Sequence, residues 1–103
     1  MADPGADHAV YSISVTSELT DTNPQMLRAY EAKGLLEPHR TPGGTRRYSS
    51  HDLDRIREIS ALLAAGLNLA GVEQVLTLQG EVDRLQGDID ALQERIDDPR
   101  ELP

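Results

Sequence analysis

The chain has 103 residues, a formal net charge of −8, three Tyr, and no Cys, Phe or Trp. That is enough for one small domain plus an appendage, with a core built from Leu, Ile, Val and Ala; disulfides, thiolate metal sites and cysteine redox sensing are excluded. No stretch approaches the roughly 18 apolar residues of a membrane span, and the acidic, polar N-terminus shows no secretory signal, so a cytoplasmic location is expected.

Residues 1–10, with Asp, Pro, Gly and Ala and no periodicity, read as a disordered tail. Ile13, Val15 and Leu19 then give a short apolar stripe, and Ser14 can cap a first helix over about 15–20. Asp21-Thr22 is a tight connection. Asn23 followed by Pro24 starts a second helix over about 24–33, and Gly34 suits its end. On that helix Leu27 and Tyr30 point partly inward. Gln25, Arg28, Ala29 and Ala32 share the other face, whose small side chains allow close approach to another surface.

Leu35-Leu36-Glu37 and Arg46-Arg47-Tyr48 bracket Pro42-Gly43-Gly44, which reads as a short hairpin with a flexible tip. Ser49 with Asp52 resembles a capping box for a third helix over about 50–65, with Leu53, Ile56, Ile59 and Leu63 on its apolar side. Gly66 stops it. Asn68 can cap a fourth helix over about 69–79, burying Leu69, Val72, Val75 and Leu76. After Gly80, the residues Val82, Leu85, Ile89, Leu92 and Ile96 are spaced 3, 4, 3, 4. That is a heptad seam on a helix over about 81–97, ended by Asp97-Asp98-Pro99.

The charge is unevenly spread. Residues 1–23 carry four acids and no base, and residues 61–103 carry three bases and nine acids. Residues 24–60 carry seven bases and five acids, so positive charge gathers on the second helix and the hairpin. Asn23 leaves backbone N–H groups aimed outward at the positive end of a helix dipole, where phosphate binds well. Gln25 and Arg28 suit adenine and guanine edges. Arg46 and Arg47 lie beside a glycine turn, and Tyr48 offers a hydroxyl to phosphate and a ring to the core. A recognition helix followed by a basic wing is the reading that joins these pieces. A solvated surface helix and strand, incidental to a protein-interaction module, is its competitor.

The heptad seam either packs back as a fifth core helix or takes a second copy. The 3.5-residue period and polar opposite face favour the second copy. With Glu81, Asp88 and Arg95 at the g positions, an antiparallel pair centred near Asp88 sets Glu81 against Arg95 twice, and also Asp88 against Asp88. Catalysis finds little support. His8, His39 and His51 are scattered, capping accounts for Ser49 and Asp52, and neither a zinc nor a calcium ligand set is visible.

Leu27-Arg28-Ala29-Tyr30-Glu31, Gly34-Leu35-Leu36, Gly44-Thr45-Arg46-Arg47-Tyr48-Ser49, Asp52-Leu53 and Gly66-Leu67-Asn68-Leu69 together resemble the MerR family of transcription regulators. Asn23-Pro24-Gln25, Thr41-Pro42-Gly43-Gly44 and Asn68-Leu69-Ala70-Gly71-Val72 are most similar to its heat-shock repressor (HspR) branch. The resemblance covers about residues 11–78. It implies a mainly α fold: a winged helix-turn-helix DNA-binding domain over 11–79, an antiparallel coiled-coil dimerisation helix over 80–98, and a tail over 99–103. It implies DNA contacts from Asn23, Gln25, Arg28, Tyr30, Arg46, Arg47 and Tyr48, and dimerisation through Val82, Leu85, Ile89, Leu92 and Ile96. A homodimeric, nucleoid-associated stress-response repressor on an inverted-repeat operator follows, neither enzyme nor cofactor protein, with a DnaK-type chaperone or RNA polymerase as further partners. The alternative within the family is an activator that distorts its promoter. Ala29 stands where many relatives have an aromatic residue. No effector domain or cysteine follows the dimer helix, so ligand induction is not expected.

Overall fold

The computed structural model describes residues 8–97. Its elements run α1 (Ile13–Thr20), α2 (Pro24–Ala32), β1 (His39–Arg40), β2 (Arg46–Arg47), α3 (Ser50–Ala64) and α4 (Leu69–Asp97). Residues 1–7 of the expected N-terminal tail, residue 98 of the expected dimer helix and the expected tail at 99–103 lie outside the described residues. Two compact units divide between Leu69 and Ala70.

In the first unit each helix begins where a short polar side chain satisfies a free backbone N–H. Ser12, rather than Ser14, caps α1 by accepting from the Val15 N–H at 3.2 Å. Asn23 caps α2, accepting from the Met26 N–H at 2.8 Å, with Pro24 at the position where a missing N–H costs nothing. Ser49 and Asp52 form the expected reciprocal capping box of α3.

Between α1 and α2 the chain turns in three residues, with Asp21 left-handed at φ 51°. Asp and Asn enter that region at less cost than other side chains. At the end of α2, Gly34 is left-handed (φ 76°), while the Gly34 and Leu35 N–H groups return to the carbonyls of Glu31 and Tyr30. This reversal drives Leu35 and Leu36 into the core, where both are buried.

That burial corrects the expected first strand. Leu35-Leu36-Glu37 does not pair with the wing; His39–Arg40 does, in antiparallel register with His39 opposite Arg47 and Arg40 opposite Arg46. The reason is loop geometry. Pairing from 39–40 leaves the compact turn 41–45, closed by hydrogen bonds between Thr41 and both Gly44 and Thr45. Only Gly44 there needs a positive φ. Pairing from residues 35–37 would require a longer, unsupported loop. Val10, expected in the N-terminal tail, joins this layer with Tyr11, since both N–H groups donate to the Tyr48 carbonyl.

The core of this unit is Leu27, Tyr30, Leu35, Leu36, Tyr48, Leu53, Ile56 and Ile59. Two polar ties link its elements. Arg57 of α3 donates to the Leu19 carbonyl at the end of α1 (3.3 Å), and Arg55 donates to the Leu35 carbonyl (3.3 Å).

The second unit is α4, which includes Val72 and Leu76 as buried residues. It is one helix of 29 residues, where two helices meeting at Gly80 were expected. A lone helical glycine costs about 1 kcal/mol relative to Ala but does not stop a helix without a cap or proline to end it. Gln79-Gly80-Glu81 supplies neither. Continuity adds Leu78 to the apolar stripe, four residues before Val82. Leu78, Val82, Leu85, Ile89, Leu92 and Ile96 are all 51–61% exposed.

Candidate nucleic-acid interface

The exposed side of α2 follows from its buried side. Leu27 and Tyr30 point into the core, so Gln25 and Arg28 point out one turn apart, and Ala32 continues the same exposed face. No hydrogen bond or ion pair engages Arg28 among the described residues. Asn23, at the helix start, is exposed, but its side-chain carbonyl is engaged in the cap. Only its amide group remains to meet a ligand.

The hairpin is fastened to this helix by Glu31, a residue the sequence reading did not single out. Its carboxylate accepts from Arg40 Nη2 at 2.9 Å and from Arg46 Nε at 3.0 Å. Arg40 also reaches the Gly44 carbonyl at 3.2 Å, so one guanidinium ties helix to hairpin tip. The Glu31 hydrogen bond holds the Arg46 proton more firmly than usual, outweighing the opposing effect of burial. A signal for this role does exist in the sequence. Glu31 is the one acid on a helix otherwise neutral or basic, one residue from its end and shortly before an arginine-rich hairpin.

Arg47 is half-buried and donates to the Arg46 carbonyl at 3.3 Å. Together with His8, Ala9, His39, Arg40 and Thr41 it lines an open cleft of about 340 Å³. With Arg40 committed to Glu31, Arg47 supplies the positive charge available in this cleft, suited to an anionic backbone.

The two tyrosines correct the expected contact set. Tyr30 is 1% exposed and Tyr48 is 0% exposed. Both rings are core. The Tyr30 hydroxyl lies 3.4 Å from Ser60 Oγ, and the Tyr48 hydroxyl is buried without a hydrogen-bond partner among the described residues. Burial also pushes the Tyr48 phenol up from its ordinary range, against the pull of Arg46. Tyr48 follows β2 and is bridged to Tyr11, with its ring fully buried, so neither hydroxyl reaches a phosphate without opening the core. Tyr48→Phe is therefore expected to leave DNA affinity unchanged and the melting temperature equal or higher, because an unpaired buried hydroxyl costs about 1–3 kcal/mol. Loss of DNA affinity in that variant, with an unchanged melting curve, would restore the phosphate contact.

The residues expected to form the dimer seam lie as one continuous exposed stripe on α4. Among the described residues no group of three or more His, Asp or Glu could hold a metal ion. No helix among them is long and apolar enough to cross a membrane.

Comparison with known proteins agrees with this geometry. The family model described as MerR HTH family regulatory protein matches residues 11–79. The candidate heat shock protein HspR of Streptomyces coelicolor is 42% identical over 77 residues, covering 74% of this chain and 51% of that protein. The chain spans about half the length of the curated relatives it matches at this level. Among solved structures, the regulator PbrR691 from Ralstonia metallidurans CH34, in complex with lead(II), matches with a TM-score of 0.64 at 28% identity. That match covers 84% of this chain and 75% of that one. The MerR family regulator HiNmlR, lacking its sensor domain and bound to promoter DNA, matches in fold with a TM-score of 0.59 at 19% identity, covering 84% of this chain and 78% of that one. A family model over residues 11–79 and a relative at 42% identity show the family: the chain belongs to the MerR family of helix-turn-helix DNA-binding transcription regulators.

Proposed function

We propose that the protein is a homodimeric repressor that binds an inverted-repeat operator. Gln25, Arg28 and the Asn23 amide read the major groove, and the wing grips phosphate through Arg47 and Arg46. The observation that carries this reading is the outward, unpaired polar face of α2 fastened beside an arginine-bearing hairpin. The likeness to HspR supports repression as the sign of regulation. Two copies are supported by the uncovered apolar stripe of α4. An antiparallel pair with its two-fold axis at Gly87 sets Leu78 against Ile96, Val82 against Leu92 and Leu85 against Ile89. The same register opposes Glu81 and Arg95 on the flank.

Two contacts of different kind separate readout from grip. Arg47→Ala is expected to weaken binding to selected and scrambled duplexes alike, and to lower the salt dependence by about 0.9 in log–log slope per phosphate lost. Gln25→Ala is expected to relax preference at one position per half-site, since a good bidentate base contact contributes about 1–3 kcal/mol of discrimination. A random-sequence selection followed by salt titration measures both. An unchanged consensus for Gln25→Ala would remove that residue from the readout. Salt-independent or absent binding by the unaltered protein would leave only an interaction module.

A further inference from the structure

We infer that Glu31 is a positioning residue for DNA recognition. It holds Arg46 edge-on by Nε so that the Nη side of the guanidinium is presented to one phosphate, while Arg40 serves as a strut and not as a DNA ligand. The inference rests on the reading of this surface as a DNA interface.

The hairpin register places Arg40 directly opposite Arg46. Like charges at opposed positions of two strands repel and destabilise the pair. A shared counter-charge resolves that conflict, and Glu31 supplies it from the neighbouring helix. Its side chain is 19% exposed, so the ion pairs are partly shielded from solvent.

The two arginines use the carboxylate differently. Arg40 engages both ends of its fork: Nη2 on Glu31, at 2.9 Å to Oε1 and 3.4 Å to Oε2, and Nη1 on the Gly44 carbonyl at 3.2 Å. Only its Nε–H carries no hydrogen bond among the described residues, so neither Nη group is left unengaged for a further anion. Arg46 engages only Nε, at 3.2 Å and 3.0 Å to the two carboxylate oxygens. Among the described residues no hydrogen bond occupies its Nη groups, and its side chain is 28% exposed. A planar guanidinium fixed along one edge keeps its other edge in a defined direction. A phosphate meeting that edge fixes the register of the protein on the duplex, which lets Gln25 and Arg28 meet the correct base pairs.

The test is a double-mutant cycle on the full chain, using the duplex that the unaltered protein selects and a scrambled duplex. Glu31→Gln is expected to lower the ratio of selected to scrambled affinity about tenfold, a coupling of ordinary size between contacting residues. Affinity for the scrambled duplex is expected to hold or rise, because each protomer loses one negative charge. In an Arg46→Gln background the same change is expected to alter the ratio less than about twofold, since Glu31 acts through Arg46. Equal losses on both duplexes, persisting without Arg46, would reduce Glu31 to a structural role and overturn the inference.

If Glu31→Gln fails to fold by circular dichroism, Arg40→Gln and Arg46→Gln decide the matter. Arg46→Gln is expected to lower the salt slope by about 0.9 per protomer, and Arg40→Gln to leave it unchanged. Equal slopes for the two overturn the inference. If the unaltered protein binds no duplex at low salt, it is the DNA-interface reading that fails.

Discussion

Replacing Ile89 with Asp is expected to convert the dimer to monomers and to abolish operator binding at concentrations where the unaltered protein saturates its site. Ile89 is 56% exposed in the single chain, so the change removes nothing from the packed core. In the antiparallel register it lies against Leu85 of the second copy, about half a turn from the two-fold axis, and occurs twice. Burying each isoleucine contributes about 1.5–3 kcal/mol. Placing two carboxylates in that seam, beside Asp88, adds a desolvation cost of several kcal/mol. Since each ~1.4 kcal/mol is tenfold in affinity, the dimer constant should fall by about a thousandfold or more. Operator binding falls with it, because two half-sites are then bound without linkage. Sedimentation equilibrium gives the answer directly. A monomeric unaltered chain, or a dimeric Ile89→Asp chain, would end the coiled-coil proposal.

Ile56→Ala is expected to have the largest effect on the fold itself. Ile56 lies on α3 at 0% exposure, between Leu53 and Ile59 on the same buried stripe. A buried isoleucine cut to alanine costs about 2–5 kcal/mol, through lost transfer energy and the cavity that remains. A domain of this size holds about 5–15 kcal/mol in total, so the melting temperature should fall by about 10–30 °C. Calorimetry on both variants provides a contrast. Ile89→Ala should shift melting only through dimer linkage and hence depend on protein concentration. The Ile56→Ala shift should persist at every concentration. A fall below about 3 °C for Ile56→Ala would show that the site collapses freely and that Ile56 is no keystone.

The contrast between these isoleucines shows what local pattern conveys. Both sit in helices with apolar residues every three or four positions, and periodicity alone marks each as facing something. Which one faces its own core is a question of neighbours from distant parts of the chain. Ile56 is fully buried in a unit where α3 packs on α1, whereas Ile89 stays 56% exposed among the described residues.

Gly80 teaches a related point. Read locally, a glycine between two apolar patterns suggests a boundary, yet the cost of one helical glycine is small against the many hydrogen bonds of a continuous helix. The seam therefore reaches back to Leu78, one rung further than the expected start at Val82. Tyr30 and Tyr48 show the opposite error. An aromatic with a hydroxyl, set beside arginines, suits phosphate on paper, but the inward face of its element was already assigned by Leu27 and by the pairing of Tyr11 with Tyr48.

From the amino-acid order alone came the first three helices and the hairpin in order, the caps at Asn23 and Ser49, the outward Gln25–Arg28 face, the basic wing and the heptad stripe. Caps and periodicities act within one or two turns of backbone, so they are written locally. Folding in three dimensions decided which polar groups remain available. Glu31 captures arginines nine and fifteen residues away, two tyrosines turn inward, and two leucines expected in a strand fill the core instead. Those outcomes depend on competition among distant side chains for the same charge and the same buried volume, and no local spacing encodes that competition.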